Sequence, residues 1–492
     1  MLKLDYANCL SDRVGSHGLD PALLDDGSPL AAKAREITES LERTRNTGWE
    51  RWRGLPFDPA RTAHVDAIRK VVDRYEGRID NLVVLGIGGS ALGNIALQSA
   101  LNPPTHNLLP AEHRSDLPRV FVVDNVDPNY LFSVLNFVME NDPALDRTLF
   151  NVISKSGETA ETASQFMTIR SLLIERRGKD RHAEQIVAIT DPKSGTMRSI
   201  CDENGYTTLP VPEGVGGRFS VLSPVGLFSA AMAGIDIDSL LDGAARMDER
   251  CSSPDLHANP AAMLATLLVE LGEGRGVVSP KPNHVLMPYA NQFYLLADWF
   301  RQLWAESLGK RHDASGKDGR FAGFTPIKAL GTTDQHSQVQ LYREGPNDKV
   351  IGFMEVENFG EPAHTAWGGD FSIPTGLGVE ALTYLEGKSF THLLNAEKRA
   401  TEYALVESQR PNFTLKFEGS SSGIQASEVG EFINLWQIAT AYAGRMLGID
   451  AYDQPAVETG KLATFGLMGR AGYDEWKSKV DSRLAPTDRV IG

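Results

Sequence analysis

The chain has 492 residues, 41% hydrophobic and 23% charged, a globular composition too long for one ordinary core, so two domains are expected. Its 49 Lys and Arg face 64 Asp and Glu, a formal charge of -15 that argues against nucleic acid or an anionic membrane as main partner; an anionic ligand needs a local basic pocket. Three scattered cysteines, Cys9, Cys201 and Cys251, suggest neither a disulfide framework nor a zinc cluster, and with no secretory signal at Met1-Leu2-Lys3-Leu4-Asp5-Tyr6 and no bilayer-length apolar run, a cytoplasmic protein is expected.

Residues 1–60 read as a charged N-terminal arm, helical around 29–45, with Trp49 and Trp52 available to pack on something larger. Short apolar runs at 82–87, 120–124, 149–154 and 186–190 are separated by stretches long enough for crossover helices. That is the pattern of βαβ units, so a first domain over 61–245 is expected to be doubly wound α/β with a parallel sheet. In one crossover, Ala163, Phe166, Met167, Leu173 and Ile174 form a helical stripe interrupted by Arg170 and read as core. The pattern turns helical and rich in small residues at 231–247. Strand candidates at 285–288, 326–330, 349–356 and 413–417 then place a second α/β domain at 246–492. Segments 344–347 and 358–377 read as loops, and the tail from Ala471 as an end helix.

Gly86-Ile87-Gly88-Gly89-Ser90-Ala91 follows an apolar strand and opens a helical stretch, so its backbone N–H groups can face an anion. The same spacing fits G-x-G-x-x-A, a form of the dinucleotide fingerprint, and a tight structural turn would use the same glycines. The ribose-binding acid expected about 20 residues on would fall near His106 or Asn107, where no Asp or Glu stands. The third strand ends in Ser154-Lys155-Ser156-Gly157-Glu158-Thr159, at the sheet edge where open α/β proteins bind ligands. A capping box would explain one hydroxyl here but not a lysine between two serines. The favoured reading is a monophosphate pocket of Ser90, Ser154, Lys155, Ser156 and Thr159.

Gly216-Gly217-Arg218 brings an arginine to a flexible approach, suited to a ligand or to a surface ion pair. In 291–310, Phe293, Leu296, Phe300 and Leu303 form an apolar stripe, with Gln302 and Glu306 four residues apart on a neighbouring face. Glu306 at the margin of a core could serve as a base; the plain alternative is an exposed carboxylate paired with Lys310. His336, in Gly331-Thr332-Thr333-Asp334-Gln335-His336-Ser337, suits a proton shuttle, and Lys461 follows the turn Thr459-Gly460.

The segments LGIGGSALG, ISKSGETAET, VGGRFSVLSPVG, QLWAESLGK with TTDQHSQVQ, and DQPAVETGK together resemble the glucose-6-phosphate isomerase family, in particular its bacterial branch, over about 80–462. The resemblance implies two sugar-isomerase (SIS) domains built as α/β/α sandwiches with mainly parallel sheets, and a homodimer. It also implies interconversion of glucose 6-phosphate and fructose 6-phosphate, a step of glycolysis and gluconeogenesis, with neither metal nor other cofactor. It places Glu306 as the base moving a proton between C2 and C1, Arg218 beside the enediolate, and His336 and Lys461 at ring opening, with His336 crossing from the neighbouring subunit. Ser90, Ser154, Lys155, Ser156 and Thr159 would hold the phosphate, Gln302 and Gln454 would contact the sugar, and Gly89 would be a further substrate-binding residue. Two departures stand out: Ala456 after Pro455 replaces a glycine of the signature Q-x-G-V-E-x-G-K, and 311–317 reads as a longer loop after Glu306 than the family usually carries. The rival classes are a nicotinamide-dependent sugar-phosphate oxidoreductase and a non-catalytic sugar-phosphate sensor.

Overall fold

A computed structural model describes residues 1–360, 372–487 and 489–491, without the side chains at 312, 318 and 320. Twelve strands occur among them: β1 (Lys3–Asp5), β2 (Asn81–Leu85), β3 (Arg119–Val123), β4 (Thr148–Ile153), β5 (Ile186–Thr190), β6 (Thr207–Pro210), β7 (Asn283–Pro288), β8 (Lys310–His312), β9 (Asp318–Ala322), β10 (Thr325–Lys328), β11 (Lys349–Asn358) and β12 (Asn412–Gly419). The first sheet, in the order β3-β2-β4-β5-β6, is parallel throughout. The second, β1-β12-β11-β7-β10, is parallel except for β1. The fold is thus α/β with mainly parallel sheets, as the apolar runs imply. Strands β2, β4 and β5 are buried along their whole length, which is why they read as unbroken apolar runs instead of an alternation.

One apolar core joins the inner faces of both sheets, running from Leu82 and Val84 to Leu286 and Leu415. Two smaller cores cover the outer faces, one under each sheet's other helices. Between the sheets, helix Ala426–Leu447 packs on Ile237–Arg250 at unusually short range: a Cβ on Gly243 or Gly430 would strike the carbonyl of Ser427 or Leu240. Helix Tyr294–Leu308 buries the expected stripe, with Phe300 and Trp304 lying 4.3 and 5.6 Å from the Trp436 ring.

Three details differ from the sequence reading. In helix Ala160–Arg177, Met167 is 68% exposed and Ile169 is buried instead, because the inward stripe steps 162, 166, 169, 173 and residue 167 points about 100° away. The arm forms helix Pro29–Thr44 as expected, but also the edge strand β1, three residues too short to leave a periodicity. Residues 311–317 belong to the β8–β9 hairpin, tied down by Ala314 N donating to Gly448 O, and are not an open loop. Of the expected 358–377 loop, 361–371 lie outside the described residues. The tail forms helix Asp474–Arg483 against helix Glu458–Leu467.

Candidate active site

The glycine loops meet at the carboxyl edge of the first sheet. Gly89 backs directly onto Gly217, so closely that a Cβ there would collide with the Gly217 backbone. This contact carries Arg218 inward until its side chain is 4% exposed. Four N–H groups of Arg218 are committed: Nε to Ser307 Oγ at 2.7 Å, Nη1 to Gln454 Oε1 at 2.9 Å, and Nη2 to the carbonyls of Ala451 and Asp453 at 2.5 and 3.1 Å. A guanidinium has five donors, so one N–H of Nη1 is left over, on the nitrogen 3.7 Å from Glu306 Oε1. Burial pulls the Arg218 pKa down, but an arginine stays charged.

Glu306, its side chain 29% exposed, also accepts from Gln302 Nε2 at 3.1 Å. The alternative pairing with Lys310 does not form. Lys310 Nζ instead donates to the carbonyls of Glu306 and Asp453, both at 2.8 Å, stapling the end of the Glu306 helix to the segment before Gln454. Burial and the nearby Arg218 charge lower the Lys310 pKa. Ser307 and Lys310 were not picked out from the sequence as site residues; their adjacency to Glu306 in one motif is the signal available. Gln302 Oε1 is buried without a hydrogen-bond partner among the described residues.

At the end of β4, Ser154 Oγ accepts from Gly157 N at 3.0 Å and Ser156 Oγ from Glu158 N at 3.2 Å. Thr159 precedes helix Ala160–Arg177 but its hydroxyl makes no capping bond, so the capping-box reading fails for it. Ser90 ends the short turn Gly88–Ser90 beyond β2, next to β4 in the sheet. Lys155 Nζ lies 5.4 Å from the centroid of the Trp49 ring. A cleft of about 440 Å³ joins Trp49, Lys155, Gly216, Gly217, Gln454 and Glu458. A larger cleft of about 720 Å³ lies at the opposite, amino edge of this sheet; its Arg177 is engaged by Asp146 and Glu184.

Gly88, the second glycine of the dinucleotide fingerprint, faces the Gln302 amide at 3.0 Å from a Cβ position, so the glycine loop packs on the helix that carries Glu306. Among the described residues no group of three or more His, Cys, Asp or Glu is placed to hold a metal ion, and no helix is long and apolar enough to cross a membrane.

Two expected residues stand apart. His336 is exposed at the end of the turn Thr333–His336 after β10, and no hydrogen bond or ion pair engages its ring among the described residues. Its neighbour Gln335 points inward to Tyr289 Oη and Thr401 Oγ1, both at 2.6 Å. Lys461, on helix Glu458–Leu467, pairs with Glu458 at 2.7 Å, both about half exposed. Pro455 and Ala456 start a short 3-10 turn that leaves Gln454 bonded to Arg218.

The phosphoglucose isomerase family profile matches residues 70–482. The chain belongs to that family. It is 40% identical over 480 residues to a glucose-6-phosphate isomerase of Carboxydothermus hydrogenoformans, covering 97% of each chain. It is also 40% identical over 453 residues to the Rubrobacter xylanophilus glucose-6-phosphate isomerase, covering 91% of this chain and 96% of the relative. In three dimensions it is similar to a hypothetical protein of Thermus thermophilus, at a TM-score of 0.78, 34% identity and 95% and 100% coverage. A glucose-6-phosphate isomerase from Chlamydia trachomatis shares the fold, at a TM-score of 0.77 and 22% identity over 98% and 92% of the two chains.

Proposed function

We propose that this phosphoglucose isomerase family member interconverts glucose 6-phosphate and fructose 6-phosphate by moving one proton through an enediolate. The observation that carries the reading is the partly exposed Glu306 carboxylate held between Gln302 and the buried Arg218, at the meeting point of four distant motifs. Glu306 takes the proton from C2 of the open-chain aldose while the C2–H electron pair moves toward the oxygen on C1. Returning that proton to C1, with a hydroxyl proton passing from O2 to O1, gives the ketose. The leftover N–H of Arg218 Nη1 stabilises the enediolate oxygens, a charge-stabilising donor fixed before the reaction starts. Gln302, bonded to Glu306, and Gln454, which lines the cleft and is bonded to Arg218, contact the sugar.

Ser90, Ser154, Lys155, Ser156 and Thr159, with the Gly89 backbone, hold the phosphate. The uncapped start of helix Ala160–Arg177 and the free Thr159 hydroxyl support this assignment. His336 and Lys461 open the ring, and His336 reaches the site of a second copy in a homodimer. Its exposure, and the lack of a hydrogen bond or ion pair to its ring among the described residues, support that arrangement. The division proposed for the chain is an arm over 1–60 and sugar-isomerase domains over 61–245 and 246–492, acting in the cytoplasm.

The test is a coupled assay of purified protein with fructose 6-phosphate, with no metal or nicotinamide added to the isomerase step. Formation of glucose 6-phosphate is expected. Substrate-dependent nicotinamide absorbance change, or binding without turnover, would replace the reading with the oxidoreductase or the sensor.

A further inference from the structure

The N-terminal arm reaches the candidate site through the short helical segment Gly48–Gly54. Its Trp52 is buried and stacks on Phe219 at 5.1 Å, next to Arg218, and Phe219 in turn meets Tyr452 at 5.4 Å, two residues before Gln454. Arg51 pairs with Glu213 at 3.3 Å. These contacts fix the segment against the Arg218 loop. Trp49, one turn away, is a different case: it is 51% exposed, forms a wall of the 440 Å³ cleft, and carries the Lys155 ammonium over its ring.

We infer that Trp49 is a positioning residue for Lys155 and so for the phosphate of the substrate; this rests on the proposed assignment of Lys155 to phosphate. Among the described residues no carboxylate lies within ion-pairing distance of Lys155, although Glu458 lines the same cleft and pairs with Lys461 instead. An aromatic partner suits this task. It narrows the rotamers of a long, flexible side chain, yet leaves the positive charge unneutralised. A carboxylate partner would have to be displaced by the incoming dianion, and its charge would repel that dianion. The ligand class is a phosphate monoester, and the ring contributes to KM more than to kcat because Lys155 is assigned to the phosphate and not to the proton transfer.

Trp49→Ala is expected to raise KM for fructose 6-phosphate roughly two- to fivefold with kcat little changed, and Trp49→Phe to restore most of the loss. In a Lys155→Ala background the same Trp49→Ala change should have no further effect on KM, a non-additivity that a purely structural role would not produce. Calorimetric binding of inorganic phosphate reads the same four-variant cycle without turnover. A chain inactive on fructose 6-phosphate would therefore refute the isomerase reading and still test the ring. Unchanged KM and phosphate affinity in Trp49→Ala, equal losses in both backgrounds, or no phosphate binding by the wild-type chain would each overturn the inference.

Discussion

Two groups of side chains drawn from the same set of motifs stand in opposite conditions. Arg218 bonds to Gln454 and Gln302 to Glu306, and a 3.7 Å ion pair between Arg218 and Glu306 links the two pairs within one chain, with the Glu306 helix anchored by Phe300, Trp304 and Trp436 and its end stapled by Lys310. His336 and Lys461 are exposed, the first unengaged within the described residues and the second paired only one turn along its own helix. The groups proposed to move the proton are thus preorganised. The groups proposed for ring opening are left on the surface, and under the proposed function a second copy or the substrate completes their surroundings. The contrast is between motifs that meet within one chain and motifs that do not.

The largest break expected in this contrast is at the locked half. Glu306→Gln keeps the shape and the Gln302 contact but removes the base, and turnover should fall by roughly 10²–10⁴-fold with ligand binding largely kept; steady-state kinetics beside calorimetric binding checks this. Near-normal turnover in a folded variant would remove Glu306 from the role.

Lys155→Ala probes the phosphate end. Loss of a charge-assisted hydrogen bond corresponds to roughly 10–100-fold weaker binding of sugar phosphates, with little effect on unphosphorylated analogues. Equal losses for both ligand classes, measured by competitive inhibition, would indicate a folding defect instead.

The smallest effect is a control far from both halves. Lys3 and the N-terminal ammonium lower the Glu418 carboxyl to about 2 from a usual 4.5. A depressed carboxylate pKa means the tether of β1 is fully present above pH 4.5 and is lost as pH falls toward 2. Hydrogen exchange of the β1 amides should show this loss in the wild-type chain, and Glu418→Gln should reduce the pH dependence in that window, the Asp5–Lys416 pair supplying the rest, while leaving neutral-pH turnover unchanged.

Much of this was legible in the sequence because buried parallel strands leave unbroken apolar runs, and every interior run at 82–87, 120–124, 149–154 and 186–190 became a strand. The stripe of Phe293, Leu296, Phe300 and Leu303 likewise set the face on which Glu306 sits. What escaped was information carried across the chain. Met167 was misplaced because apolar character alone does not fix which flank of a stripe turns inward. Lys310 was legible as a neighbour of Glu306, but that it would bind two backbone carbonyls depends on where Asp453 arrives from the far end of the chain. The edge strand β1 leaves too short a pattern to read, and the Trp49–Lys155 contact depends on an arm folding back over the loop after β4.

The claim that the site is completed between two chains is tested most directly by mixing His336→Ala and Glu306→Gln chains, each nearly inactive alone. Random reassociation of equal amounts makes about half the dimers hybrids. In each hybrid one site receives both intact residues and the other receives neither, so roughly a quarter of wild-type activity per chain should return. No recovery, once native mass spectrometry has established that hybrids formed, would mean that each site takes Glu306 and His336 from the same chain.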